Sequence, residues 1–317
     1  MTGQAQLVSV IIPAFNAAQW IRESISSVIA QTYSHLEIII VDDGSTDDTA
    51  AVIAEFTDPR IHVVCQPQRG AAAARNAGLA IARGHFVQFL DADDLLSAEK
   101  IERQVVALEQ ASAGSVASCE WVHLDDAGIR KAEQRTAWRV RDPIEWLVRS
   151  LRGGGMMQPA GWLTPRAVID RAGSWNEKLT LHDDGDFFAR VLAASDANVF
   201  VDDALAFYRD NPRGLSRQRS RQAAESAFAV CESRRSVIAS RRHDRDAHAA
   251  IATQYAQFAY EFASLAPDLA SRALERIAAF DAAPDAVFGT LHFRRFMRLA
   301  GFRPAMLMRR LSARIRH

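Results

Sequence analysis

Hydrophobic residues along the first 125 positions fall into two alternating patterns. Continuous apolar runs occupy Val8 to Ile12 (broken by Ser9 and stopped by Pro13), Leu36 to Val41, Ile61 to Val64 and Phe86 to Leu90, and each predicts a strand. Between them the period changes. Ala17 to Gln31 sets Trp20, Ile21, Ser24, Ile25 and Val28 at helical spacing. Thr46-Asp47-Asp48 opens a second helix with acids in its first turn, where the helix dipole favours them. Gly70 to Ala82 is Ala-rich and helical, and Ala98 to Ala111 carries Ile101, Val105 and Leu108 on one face. Ser115 to Val122 reads as a further strand. Strands that are apolar on both sides need cover on both sides, so the pattern predicts an α/β fold with a mostly parallel sheet flanked by helices.

The pattern loosens and becomes turn-rich over residues 126–215, with the flexible stretch Arg152-Gly153-Gly154-Gly155 and a helix near Gly185 to Ala194. After Arg217 it is helical almost throughout. Residues 219–240, 246–264 and 268–280 predict three helices punctuated by Pro267 and Pro284, and 286–316 one or two basic helices broken near Gly301 and Pro304. The expected organisation is an α/β domain over residues 1–217, split into a 1–125 half and a 126–217 half, followed by an all-helical extension over 218–317. A chain of 317 residues is long enough to bury a large core across these parts.

Charge changes this picture in one place. The formal net charge is zero, yet no acid follows Asp285, while Arg294, Arg295, Arg298, Arg303, Arg309, Arg310, Arg314 and Arg316 all do. Phe293, Phe296, Met297, Leu299, Phe302, Met306, Leu307 and Leu311 interleave with them. That is the pattern of basic amphipathic helices on an anionic membrane surface, or of helices packing an apolar side on the domain with arginines in solvent; the membrane surface is the preferred expectation. The three cysteines suggest neither a zinc nor a disulfide framework. With no charged-then-apolar leader pattern and no apolar run near 18 residues, a cytoplasmic protein, peripheral on the membrane's inner face, is expected.

The chemistry gathers where apolar runs end. Phe86 to Leu90 stops in Asp91-Ala92-Asp93-Asp94, three carboxylates in four residues at a strand's carboxyl end, where open α/β sheets bind ligands. Such a cluster either caps the next helix or is neutralised by a hard divalent cation that keeps open positions for a phosphorylated substrate. Leu36 to Val41 ends in Asp42-Asp43-Gly44-Ser45, and Val8 to Ile12 in Pro13-Ala14-Phe15-Asn16. Three polar deliveries to one edge predict a site rather than three unrelated turns. Gly70 to Gly78 lets backbone approach a ligand closely, and Arg75 within it can meet phosphate or balance the acids. Asp183-Asp184-Gly185-Asp186 stands before a helix, as caps or as a general base. No Gly-x-Gly-x-x-Gly after a strand, P-loop, Cys/His metal spacing or Gly-x-Ser-x-Gly elbow is present, which argues against dehydrogenase, P-loop NTPase and serine hydrolase chemistry.

In order, Val8 to Asn16, Val41 to Asp47, Arg75 to Gly78 and Leu90 to Asp94 resemble the signature of family 2 glycosyltransferases. The resemblance covers about residues 6–216. It implies a GT-A nucleotide-binding fold and a set of roles: Pro13, Phe15, Asn16 and Asp43 around the nucleoside, Arg75 lining the nucleotide pocket, and Asp91, Ala92 and Asp93 at the diphosphate. It further implies Mg²⁺ or Mn²⁺ on Asp93, with Asp91 beside it, and Asp184 as the catalytic base in preference to Asp183 and Asp186. Tyr208-Arg209 to Ser216 resembles the segment that folds over the donor phosphates. Two departures stand out: Asp183 replaces the family's usual Glu, and the segment after Arg209 lacks the usual His.

The activity implied is a non-processive, inverting transfer of one sugar from a nucleotide-sugar, UDP-linked in preference, to a hydroxyl of a glycan or lipid-linked acceptor in surface polysaccharide or glycolipid assembly. The rivals are a sugar nucleotidyltransferase and a catalytically silent nucleotide- or sugar-binding homologue. The first needs a Gly-rich basic loop where Pro13-Ala14-Phe15-Asn16 stands. No motif supports nucleic-acid binding.

Overall fold

A computed structural model describes residues 5–125, 128–131, 136–155, 157–211, 214 and 219–315. Four of the apolar runs form the parallel half of one sheet. β1 (Val8–Ala14), β2 (Leu36–Asp42), β3 (Ile61–Cys65) and β4 (Phe86–Phe89) lie in the spatial order β3-β2-β1-β4. All seven residues of β1 and all seven of β2 are buried. Helices α1 (Ile21–Ile29), α2 (Thr49–Ala54), α3 (Ala71–Ile81) and α4 (Lys100–Glu109) are interspersed with these strands along the chain, and α3 packs on β1 and β2. Helix α1 buries Ile21, Ser24, Ile25 and Val28, the expected stripe. It begins later than residue 17 because the backbone N–H groups of Ala17 and Ala18 donate to Thr49 Oγ1 and Asp47 Oδ2 instead of entering the helix. The small residues of α3 have a packing reason: a Cβ at Gly78 would stand 2.5 Å from Ile11 Cγ2, so this helix presses directly onto β1.

Beyond β4 the sheet is mixed. β5 (Leu95–Leu96), β6 (Val116–Asp125), β7 (Gly128–Lys131), β8 (Trp162–Pro165) and β9 (Asn198–Arg209) extend it as β4-β8-β6-β9-β5, with β7 on β6. β8 runs antiparallel to both β4 and β6, β5 antiparallel to β9, and β6 parallel to β9 with an irregularity between Cys119 and Glu120. The parallel expectation therefore describes the first four strands. β7 pairs antiparallel with β6, Asp125 opposite Gly128, and strands so close in sequence pair antiparallel where a crossover helix would yield parallel pairing.

Helices α5 (Pro143–Arg149), α6 (Arg166–Ala172) and α7 (Asp183–Ala194) lie between β7 and β9 along the chain, with β8 between α5 and α6. The C-terminal part comprises α8 (Arg221–Ala239), α9 (Arg245–Phe262), α10 (Pro267–Ala278), α11 (Leu291–Ala300) and α12 (Phe302–Ile315). Ser220, Asp244 and Thr290 cap α8, α9 and α11 by accepting from the backbone N–H three residues on. One continuous buried core joins the sheet residues to Phe228, Tyr255, Phe258 and Phe262 of the helical part. The basic tail contributes to it: Phe293, Met297, Phe302 and Met306 are buried, and Arg309 lies 4.0 Å from the Tyr260 ring centroid. Leu299 and Leu307 remain 87% and 60% exposed. Among the described residues no helix is long and apolar enough to cross a membrane, and Cys65, Cys119 and Cys231 are free thiols.

Candidate active site

The carboxyl ends of β1, β2 and β4 meet at one edge, as their parallel pairing dictates. At the first, Pro13 is buried and Phe15 is 41% exposed. Asn16 adopts the left-handed conformation (φ 48°), which Asn tolerates better than most residues. Its Oδ1 accepts from Thr46 N–H at 2.8 Å, and its own N–H donates to Ser45 Oγ at 3.0 Å, so the β1 and β2 loops are tied together.

At the second end, the paired acids separate by role. Asp42 Oδ1 accepts from Ser45 N–H at 2.9 Å and closes the turn. Asp43 reaches across to the loop before α3. Its Oδ1 accepts from Gln66 Nε2 at 2.6 Å and Arg69 N–H at 2.9 Å, and its Oδ2 accepts from Gly70 N–H at 2.7 Å. Gly70 has φ +95°, so the chain turns into α3 in a conformation suited to glycine.

The third end holds the acidic cluster. Asp91 Oδ1 accepts from Arg75 at 2.6 Å. Asp93 Oδ2 accepts from Asn211 Nδ2 at 2.8 Å, and its carbonyl accepts from Arg209 Nε at 2.9 Å. Asp94 Oδ1 accepts from Arg209 N–H at 2.9 Å, whereas its Oδ2 is sealed from solvent without a hydrogen-bond partner among the described residues. Burial and the neighbouring Asp91 charge push the Asp93 carboxyl above its usual range. Burial together with Asp93 and Asp91 pushes Asp94 well above it.

Arg75 joins this edge to α7. Its guanidinium is 5% exposed; one nitrogen donates to Asp91 and another to Asp183 Oδ2 at 2.7 Å. Its plane lies 4.4 Å from the Trp175 ring centroid, and Trp175 in turn stacks on Phe187 at 4.1 Å. The two carboxylates outweigh the desolvation of the guanidinium and raise its pKa further. A planar fork suits such a double engagement, where lysine has only a point charge.

Helix α7 begins at Asp183, so Asp183, Asp184 and Asp186 sit in its first turn rather than before it. Their partners distinguish them. Asp183 is held by Arg75, and the buried Asp186 by Arg190 at 2.8 Å and Ser233 Oγ at 2.5 Å. Among the described residues Asp184 has neither kind of tie: its Oδ1 accepts from Gly185 N–H at 2.8 Å. Burial lifts its pKa above the usual carboxylate range, against the opposing charges of Arg234 and Arg75. Arg234, from α8, donates Nε to the Gly185 carbonyl at 2.9 Å, and its guanidinium fills the space a side chain at Gly185 would need.

The chain pattern did not signal Trp175 or Arg234 as site residues, because each reaches the site through space from a distant segment; Asn211 lies within the segment that the resemblance placed over the donor. The Arg209–Asp94 bond is equally non-local, although Arg209 stands where the resemblance placed a donor-covering segment. Of that segment, residues 212, 213, 215 and 216 lie outside the described residues. Among the described residues no group of three or more His, Cys, Asp and Glu side chains forms a metal cage. The cluster nonetheless fits a hard cation. Its donors are all oxygens, burial and then the neighbouring carboxylate charges raise Asp93 and Asp94, and a cation shared with a diphosphate needs only one or two protein carboxylates.

Sheet order, acidic edge and flanking helices together define a GT-A type protein. The chain belongs to glycosyl transferase family 2, whose model matches residues 9–170. Among its relatives is the Escherichia coli UDP-Glc:alpha-D-GlcNAc-diphosphoundecaprenol beta-1,3-glucosyltransferase WfgD, 46% identical over 100 residues. That stretch is 31% of this chain and 40% of WfgD, so the match spans well under two thirds of the relative's length. Among solved structures, S. aureus TarS 1-349 in complex with UDP-GlcNAc superposes with TM-score 0.71 at 18% identity, covering 96% of this chain and 92% of that one. The mannosyltransferase PcManGT from Pyrobaculum calidifontis, in complex with GDP-Man and Mn²⁺, superposes with TM-score 0.57 at 20% identity, covering 99% and 81%.

Proposed function

We propose that this protein is an inverting, metal-dependent glycosyltransferase. In this reading it moves one sugar from a nucleotide-sugar, UDP-linked in preference, to a hydroxyl of a glycan or lipid-linked acceptor in surface polysaccharide or glycolipid assembly. The observation that carries the reading is the Arg75 bridge, which brings the β4 acids and the first turn of α7 to one place. The names of WfgD and TarS's bound ligand favour a UDP-sugar, and WfgD's name favours an acceptor on a lipid diphosphate.

Pro13, Phe15, Asn16 and Asp43 hold the nucleoside in this scheme, and Asp91, Ala92 and Asp93 face the diphosphate, with Arg75 lining that pocket. Asp93, with Asp91 beside it, would hold Mg²⁺ or Mn²⁺, which when bound supplies Lewis-acid stabilisation of the leaving diphosphate. Arg209 and Asn211 keep the Asp93 backbone and carboxylate oriented. Asp184 accepts the acceptor hydroxyl's proton as that oxygen attacks the anomeric carbon from the side opposite the leaving group. Its raised pKa strengthens it as a base, and its freedom from ion pairing leaves it available. Asp183, engaged by Arg75, is a strut and not the base. The exposed Leu299 and Leu307 amid the tail arginines would touch the anionic inner face of a membrane where such an acceptor resides.

Calorimetric titration with UDP, GDP, CDP and dTDP, with and without Mn²⁺, tests the donor half on the wild-type chain and Asp93→Ala. Mn²⁺-dependent UDP binding that vanishes in the variant is expected. Absence of metal-dependent nucleotide binding in the wild type would overturn the reading.

A further inference from the structure

Asp184 stands on the wall of a cavity of about 470 Å³ that no donor role accounts for. This lies within the roughly 300–1,000 Å³ typical of small-molecule sites. It runs between α7 and the C-terminal helices, with the 287–289 loop closing one side. One part of its lining is aromatic: Phe188 of α7, Phe258 and Phe262 of α9, and Phe288. Another is polar: Asp184, Arg234 of α8, and Gln254, Gln257 and Glu261 of α9.

The charges of this lining discriminate between parts of an acceptor. Its acids are Asp184 and Glu261, Arg234 is its guanidinium among the described residues, desolvation with the Arg234 charge keeps the His182 imidazole well below its ordinary pKa, hence neutral at pH 7, and Arg219 stands outside the lining, 5.9 Å from the Phe262 ring centroid. The lining is therefore net negative by one. A phosphate or diphosphate placed inside would face two carboxylates against the single guanidinium of Arg234 and lose its hydration. A pure hydrocarbon chain would leave the amides and the charged groups without partners. An uncharged pyranose matches both walls, because its C–H face lies on aromatic rings while its hydroxyls bond to carboxylate, amide and guanidinium.

We infer that this cavity is the acceptor subsite, that it takes an uncharged pyranose ring, and that any anionic carrier of that sugar stays outside. The inference rests on the transferase reading for the word acceptor; the sugar site itself stands on the cavity alone. The α8 and α9 residues then select the acceptor from outside the region matched by the family model, which ends at residue 170.

Saturation-transfer NMR on the full chain with UDP tests this, using methyl β-glucopyranoside, methyl N-acetyl-β-glucosaminide and glucose 1-phosphate as probes. Ring protons of at least one neutral glycoside should saturate more than those of glucose 1-phosphate. Gln257 is exposed at the rim, so Gln257→Trp obstructs the cavity without entering the core and should cut that signal at least fivefold. Glu261→Lys turns the net charge of the lining from minus one to plus one and should shift the preference toward glucose 1-phosphate. Melting temperature and UDP calorimetry on each variant report folding. An undiminished glycoside signal in folded Gln257→Trp, or stronger saturation of glucose 1-phosphate in the wild type, overturns the inference. Loss of the glycoside signal in Gln257→Trp with no UDP binding in any form would keep the sugar site and sink the transferase reading instead.

Discussion

The guanidinium of Arg234 occupies the space in which any side chain at Gly185 would stand. A glycine in the first turn of a helix costs about 1 kcal/mol of helix propensity, and this contact explains its presence. Arg234 lowers the pKa of the adjacent Asp184 by its charge, opposing the upward effect of burial. Gly185→Ala displaces that charge, so the Asp184 pKa rises. In its proposed role as base Asp184 must be deprotonated to act, so the acidic limb of the pH–rate profile should move to higher pH, by about half a unit to one unit. Arg234→Met should do the same. Coincident limbs in wild type and both variants would separate Arg234 from the base.

Arg75 is expected to be structural and functional at once. Removing a buried partner from two carboxylates costs about 3–5 kcal/mol, so Arg75→Ala should lower the melting temperature of a chain this long by about 5–8 degrees. Arg75→Lys keeps the charge but cannot fork between Asp91 and Asp183. It should recover only part of the lost stability, and UDP affinity in the presence of Mn²⁺ should stay below wild type. Full recovery by lysine would show that charge alone matters here.

The tail offers a contrast between neighbouring residues. Phe302 is 6% exposed, and Phe302→Ala should cost about 3 kcal/mol on chemical denaturation. The highly exposed Leu299 should tolerate Leu299→Asp without loss of stability. With Leu307→Asp, the double variant should float less with anionic liposomes than the wild type. Equal flotation would confine the tail to its packing role.

Lys100 carries a prediction about stability and pH. It is fully buried, donating to Gln88 Oε1 and to the Trp162 carbonyl, and burial pulls its ammonium down to about 8. In the unfolded chain a lysine titrates near 10.4. Between these values the unfolded state holds a proton that the folded state has released, so this group makes stability rise with pH, by roughly 3 kcal/mol over the window. Cys119, pushed up to about 11 by burial, contributes in the opposite sense from about pH 9 upward, so the comparison must be internal. The stability of wild type relative to Lys100→Met should increase from pH 7 to pH 10. A constant difference would mean that Lys100 is not titrating in the fold.

Much of the site edge was legible because β1, β2 and β4 are apolar on both faces and end abruptly in polar residues, a transition visible along the chain. Arg75 as a counter-charge to the acids was legible for the same reason. The strands β5, β7 and β8 were not, since two to four residues carry too few positions to show a period. Asp183, Asp184 and Asp186 are indistinguishable as letters; only their partners Arg75, Arg190 and Ser233 assign two of them to holding structure. Both readings of the tail were visible in its arginine and apolar spacing. The burial of Phe293, Met297, Phe302 and Met306 shows that packing claims much of that stripe, while Leu299 and Leu307 stay outside it.

The bridge from Asp91 through Arg75 to Asp183 also acts as a ruler. One planar fork fixes how far the end of β4, with Asp91 just beyond it, lies from the helix turn that carries Asp184. In the proposed reaction that span cannot stretch to follow a different acceptor. Which hydroxyl receives the sugar then becomes a question of seating depth: the oxygen that comes level with Asp184 is the one that reacts, and the linkage formed is a length measured by the protein.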